Sequence, residues 1–216
     1  MIHLFREELY GLGQFLKRNG RETVILAFAT LLLVLDKYHP IGSERVSTFL
    51  YYGVFPLLVI LLVLRKNPIK FGLGIGSPKI WGFYVGVICI IAAIVLYASS
   101  FDTSLQSYYL DANFKFFSYF LTQLMILSAS EFMYRGFLLF GLKEKFGEGS
   151  ILIQVVPFVL LHLGKPELET VSTIFTGIMF GYVAYRGKSY WPAFIIHMFI
   201  NVFFVALINY KYPLQA

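Results

Sequence analysis

The sequence predicts an all-α, polytopic transmembrane protein, and its composition is the first observation that does so. Of 216 residues, 58% are hydrophobic and only 14% are charged, and the mean hydropathy is +0.71. A soluble domain carries about 25% charged and about 45–50% apolar residues. These proportions exclude a water-soluble monomer, and the abundance of apolar residues excludes a disordered chain.

Long apolar stretches are the second observation, because about 20 apolar residues are needed to cross a bilayer as a helix. Seven candidate spans are residues 23–36, 46–64, 80–99, 116–141, 150–163, 168–185 and 190–209. The first and fifth hold 14 residues each, so the prediction is about seven spans. The loops are too short for a second domain, and residues 23–216 are therefore predicted to form one transmembrane domain. In the sixth span, Gly177 and Gly181 are spaced for close helix packing.

The distribution of basic residues is the third observation. The net charge is +6, but the basic residues are scattered between apolar spans, which favours a role in topology over binding of nucleic acid. Twelve of the 18 Lys and Arg residues fall in loops on the same side as the N-terminus, and five fall on the other side. This asymmetry predicts a cytoplasmic N-terminus and an external C-terminus.

Residues 1–22 precede the first span and have a different pattern. Phe5, Leu9, Leu12, Phe15 and Leu16 recur at near-helical spacing, which predicts an amphipathic helix lying on the membrane surface. An ordinary juxtamembrane tail fits the segment equally well.

Five polar residues interrupt the apolar spans at similar depths: Glu131, Arg135, His162, His197 and Asn201. Ionisable groups in a span cost about 2.5–3.5 kcal/mol on insertion scales, so they indicate function by default. Glu131 and Arg135 are four residues apart and share a helix face, as do His197 and Asn201. Helix-packing hydrogen bonds would explain one such residue. Five on three helices favour a polar cavity walled by the fourth, fifth and seventh spans.

Three short motifs contain these residues. The stretch Ser130–Arg135 resembles an E-E-x-x-x-R motif, Phe158-x-x-x-His162 an F-x-x-x-H motif, and His197-x-x-x-Asn201 an H-x-x-x-N/D motif. In this order they resemble the CPBP family, the CAAX prenyl protease type 2 and Abi bacteriocin-processing proteins. The resemblance covers roughly residues 116–205.

The resemblance implies a glutamate-dependent intramembrane endopeptidase. Its substrate would be a membrane-associated peptide or a lipidated protein. Eukaryotic members of the family remove the last three residues of prenylated proteins. Glu131 and Arg135 correspond to the second Glu and the Arg, His162 to the water-polarising His, and His197 with Asn201 to the oxyanion pair. We expect membrane lipids as partners, no nucleic acid, no cofactor and no metal. The expected location is the prokaryotic plasma membrane, and the oligomeric state is open.

One position departs from the family pattern, because Ser130 stands where the family has its first Glu, the usual base. Three outcomes are open: Glu131 itself serves as base, another carboxylate does, or the chain is a non-proteolytic member of the family. Glu169, and less favourably Glu167, follow a Gly–Pro turn after His162 and are the candidates, although acids at a helix N-terminus have an ordinary electrostatic explanation.

Two alternative functions remain open. The first is a catalytically silent binding or bacteriocin-immunity protein, which Ser130 favours. The second is a zinc-dependent hydrolase with Glu131, His162 and His197 as ligands, against which the charge of Arg135 argues.

Overall fold

The computed structural model describes residues 2–212, without the side chains of Ile2 and Leu4. Met1 and residues 213–216, which the predicted segments 1–22 and 23–216 include, lie outside the described residues. The described part is all-helical and has no strand, which confirms the predicted fold class. Its eight helices are α1 (Ile2–Tyr38), α2 (Glu44–Val63), α3 (Pro78–Ser99), α4 (Thr103–Tyr109), α5 (Phe116–Phe146), α6 (Gly149–Leu160), α7 (Glu167–Gly187) and α8 (Trp191–Lys211).

Four helices are long and apolar enough to cross a membrane: α2, α3, α5 and α8. Helices also occupy the other three predicted spans. The span 23–36 is the second half of α1, which continues from residue 2 and has one non-helical residue, Asn19, close to the expected boundary at residue 22. The structure therefore supports the protein's membrane-spanning architecture but not the count of seven.

The predicted fifth span, 150–163, is shorter than expected. Helix α6 ends at Leu160, and the chain then turns through Gly164, whose φ of 96° is a left-handed value that glycine adopts without strain. Pro166 follows and precedes α7. His162 therefore lies in the turn after α6, and the prediction that it is inside a helix was wrong.

Helix α5 forms the centre of the bundle. Most of its apolar residues are buried, whereas no residue of α3 is. From Phe132 to Phe140 the backbone of α5 is wound as a π-helix, directly after Glu131. Such segments are frequent at functional sites.

Helices α6 and α7 pack closely because of two of the glycines of α7, Gly177 and Gly181. A Cβ atom on Gly181 would lie 2.7 Å from Gln154 Nε2, and one on Gly177 would lie 3.0 Å from Phe158 Cδ1. The close approach predicted for this glycine pair is confirmed. This close approach of the two helices places Phe158 and the turn after α6 against α7.

Contacts at one end of the bundle bring together several segments rich in basic residues. Arg21 of α1 forms an ion pair with Glu144 near the end of α5 and lies 5.8 Å from the ring centroid of Phe71. Tyr190 N donates to Gly72 O at 3.1 Å, which joins the loop before α8 to the same region. The turn after α6 lies at the other end of the bundle.

Candidate functional site

A cavity of about 370 Å³ lies between α3, α4, α7, α8 and the turn after α6. Its polar lining includes His162, His197, Asn201, Lys165 and Glu169. The rest of its wall is largely apolar, with Ile88, Ile91, Val95 and Leu96 of α3 and Leu168 and Met179 of α7. The site is therefore a largely apolar pocket with a small group of polar side chains on its wall.

His162 is held at the cavity wall by its own turn. Its Nδ1 lies 2.8 Å from Phe158 O, and its ring centroid lies 4.8 Å from that of Phe158. Because a carbonyl oxygen only accepts, Nδ1 carries the proton and Nε2 keeps a lone pair. Thr170 Oγ1 donates to His162 O at 2.9 Å and ties the turn to the first part of α7.

His197 lines the same cavity from α8. Its Nδ1 lies 2.7 Å from Glu131 Oε1, and the carboxylate also accepts from Arg135 Nη1 at 3.0 Å. Glu131 and Arg135 are completely buried and are not part of the cavity wall. Glu131 thus sits behind His197, and the imidazole separates the carboxylate from the cavity.

Arg135 is enclosed by aromatic rings. Its guanidinium carbon lies 4.0 Å from the ring centroid of Phe158 and 5.1 Å from that of Phe180. The guanidinium also donates to Gly177 O at 3.5 Å. A cation over aromatic faces in a dry site is stabilised by the ring quadrupoles, so Phe158 supports the charge that balances Glu131.

Asn201 lies one turn after His197 and is fixed by a residue that the sequence did not single out. Tyr119 OH of α5 donates to Asn201 Oδ1 at 2.7 Å. Because the amide oxygen is engaged, the side-chain NH₂ of Asn201 is the group left to act at the cavity. The signal for Tyr119 in the sequence is no stronger than that of any other tyrosine, since 15 are present.

The candidates for the missing carboxylate differ in position. Glu169 lines the cavity together with His162, as the short fifth helix suggested, whereas Glu167 is exposed. Glu169 accepts from Lys165 Nζ at 2.7 Å through Oε1 and from Tyr109 OH through Oε2. Burial and the neighbouring carboxylate raise the pKa of Tyr109 above its ordinary value, so this hydroxyl remains a donor. Ser130 is buried and does not line the cavity.

The predicted walls of the cavity were partly wrong. The fourth span, α5, contributes Glu131 from behind rather than as wall, while α3 and α7 form walls that were not expected. Ser172 and Thr176, four residues apart on α7, line the cavity. This four-residue spacing of polar side chains is visible in the sequence. It was not used, because the ionisable residues within the spans are the stronger indication of a site.

The zinc alternative needs Glu131, His162 and His197 around one ion. Within residues 2–212, no three His, Cys, Asp or Glu side chains are grouped so that they can hold a metal ion. Instead, Glu131 Oε1 is in hydrogen-bond contact with both Arg135 and His197. This geometry does not fit the zinc ligand set.

The fold and the site together define a polytopic α-helical membrane protein with a histidine-lined internal cavity. The model of the family described as type II CAAX prenyl endopeptidase Rce1-like matches residues 112–203, a range that contains all three motifs. This match confirms the resemblance found in the sequence and supports a membrane peptidase at the level of the family. No curated protein and no solved structure matches the chain.

Proposed function

We propose that the protein is an intramembrane endopeptidase that uses water to hydrolyse a peptide bond of a membrane-associated or lipidated substrate. The observation that carries this proposal is that His162, His197 and Asn201 line one cavity, with both Nδ1 atoms committed to acceptors. Amide hydrolysis requires a base for water and donors for the oxyanion. Imidazole lone pairs and a free amide NH₂ are groups of those two kinds.

The apolar wall of the cavity bears on how a substrate reaches these groups. Helix α3 has no buried residue, yet its Ile88, Ile91 and Val95 line the cavity. We infer that an apolar substrate enters from the bilayer beside α3 and places its scissile amide near His162 and His197.

A cleavage assay in liposomes with lipidated and unlipidated peptides tests this function. We expect wild-type protein to cleave, and Asn201→Ala to lower kcat about 10²–10³-fold, the usual cost of losing one oxyanion donor. His39→Ala is the matched control, because His39 is exposed and outside the cavity. Equal rates for wild type and Asn201→Ala, or no cleavage by folded wild-type protein, would overturn the proposal.

The silent-binding alternative is favoured by two observations: Ser130 replaces a Glu, and Glu131 has no access to the cavity. It predicts that wild-type protein binds peptide without cleaving it and that Ser130→Glu creates activity. We favour the peptidase because a binding protein has no need of two imidazoles at one cavity. The same liposome assay on Ser130→Glu decides between the two.

A second proposal is that Glu169 supplies the carboxylate that acts as base. It lies at the wall beside His162, so it can serve as base if a substrate displaces Lys165 or Tyr109 from its oxygens. On this proposal Glu169→Gln loses activity. Activity that survives Glu169→Gln and is lost in Glu131→Gln would remove Glu169 from the mechanism.

For the topology we propose a cytoplasmic N-terminus, as the distribution of basic residues indicates. The membrane we propose is a prokaryotic plasma membrane, as the family resemblance implies. The basic end of the bundle then faces the cytoplasm, and the turn that carries His162 and Lys165 lies toward the external side. Substrates would be membrane-associated peptides reached from that side or from the bilayer.

A further inference from the structure

The position of Glu131 behind His197 raises the question of which group activates water. A base has to come within hydrogen-bond reach of the water it deprotonates. Glu131 is completely buried and is not part of the cavity wall, whereas His197 is. The carboxylate therefore reaches the cavity only through the imidazole.

We infer that Glu131 and His197 form a carboxylate–imidazole dyad, in which His197 Nε2, in place of Glu169, is the general base and Glu131 is its positioning residue. The inference rests on the proposed peptidase function and reassigns the roles that the sequence motifs suggested. It is drawn from the 2.7 Å contact between His197 Nδ1 and Glu131 Oε1, an oxygen that also accepts from Arg135 Nη1 at 3.0 Å.

The hydrogen bond determines the tautomer of His197. A carboxylate that accepts from Nδ1–H keeps the proton on that nitrogen and leaves the lone pair on Nε2. The carboxylate also stabilises the imidazolium that forms when Nε2 takes a proton. His162 has only a backbone carbonyl on its Nδ1, so it has no such charge behind it.

Hydrolysis by this dyad needs only water and side chains that line or support the cavity. Nε2 of His197 takes one proton from water as the water oxygen bonds to the substrate carbonyl carbon. The resulting oxyanion accepts a hydrogen bond from the NH₂ of Asn201, whose Oδ1 is held by Tyr119. When the C–N bond breaks, the proton on Nε2 passes to the leaving amine, and His197 returns to its starting state.

Arg135 has a defined part in this arrangement. It forms a buried ion pair with Glu131, and its own charge is supported by the rings of Phe158 and Phe180. Neither side chain of this pair is exposed to solvent. Arg135 is accordingly a positioning residue for the dyad rather than a group that contacts substrate.

The experiment measures the reactivity of His197 directly, so that it does not depend on a substrate. Diethyl pyrocarbonate acylates unprotonated imidazole nitrogens, and mass spectrometry resolves the rate at each histidine. We expect Glu131→Gln to slow modification of His197 about 10-fold, because second-shell carboxylates raise the basicity of an imidazole and fix its tautomer. His39, which is exposed and lies outside the cavity, is the internal reference whose rate stays unchanged in a folded variant.

The cleavage assay supplies the second readout. Glu131→Gln should lower kcat about 10²–10⁴-fold with little change in KM, since general-base catalysis contributes about that much. His197→Gln should abolish cleavage. Equal modification of His197 in wild type and Glu131→Gln overturns the dyad, even if peptides are cleaved. Slowed modification together with absent cleavage by wild type leaves the dyad standing and overturns the peptidase function instead.

Discussion

Glu131 and Arg135 are buried side by side in α5, with their charged atoms 3.0 Å apart. Each charge would be costly in this environment without the other, because the interior supplies neither water nor a high dielectric constant. The pair is therefore a coupled unit, and removing either member alone costs stability. Removing one of the two charges should therefore lower the stability of the protein, independently of any effect on catalysis.

We expect Arg135→Met to lower the free energy of unfolding by about 3–5 kcal/mol, because it leaves the Glu131 carboxylate buried without its cation. Unfolding in a denaturing-detergent titration measures the change. Arg45→Met is the matched control, since Arg45 is exposed and surface changes usually stay within about 0.5 kcal/mol. The double variant with Glu131→Gln should recover part of the loss, and a double variant less stable than the sum of both single changes would contradict the pairing.

Tyr119→Phe tests how Asn201, the proposed oxyanion donor, is held in place. Removing the hydroxyl frees Asn201 Oδ1, and we expect kcat to fall about 5-fold with KM unchanged, because a hydrogen bond usually contributes about 1 kcal/mol net. Tyr108→Phe is the control, because Tyr108 is exposed and precedes the cavity residue Tyr109 on the same helix. Equal kcat values in the two variants would show that Asn201 does not need Tyr119.

At the scale of elements, the sequence predicted helices better than it predicted their ends. The apolar pattern located a helix in every predicted span because hydropathy reflects burial in lipid or protein alike. It did not reveal that α6 stops at Leu160, since Leu161 and Leu163 continue the apolar run through a turn. The backbone of Gly164 and Pro166, rather than hydropathy, ends this segment and brings His162 to the cavity.

The packing of α6 on α7 gives a prediction for a pair of helices. Gly181→Ala should destabilise the protein by about 1–3 kcal/mol, because the added methyl group overlaps Gln154 Nε2 and Ile151 Cγ2 in a tight contact. Gly86→Ala in α3 is matched in chemistry, but nothing lies within 4 Å of its added Cβ atom. We expect that variant to be neutral or more stable, because alanine favours a helix over glycine by about 1 kcal/mol. Equal melting temperatures for the two variants would show that the helix contact tolerates the methyl group.

For the whole molecule, the sequence indicated three residues, His162, His197 and Asn201, that line one cavity, but not how they and Glu131 are layered. Spacing placed Glu131 and Arg135 on one face of a helix, and the structure joins them as an ion pair. Whether Glu131 or His197 lies nearer the cavity depends on how α5 and α8 are rotated about their axes. That rotation is determined by packing across many residues, such as Phe158 and Phe180 around Arg135, and no local pattern specifies it.

The orientation of the bundle decides from which side of the membrane a polar substrate meets the cavity. Lys145 lies near the end of α5 where Arg21 and Glu144 meet, and Lys115 lies immediately before the other end of this helix. Both are exposed. In a Cys89→Ala background, we expect Lys115→Cys to react with a membrane-impermeant maleimide in intact cells, and Lys145→Cys to react only after permeabilisation. The reverse result would place the basic end outside and make the turn that carries His162 and Lys165 a cytoplasmic feature.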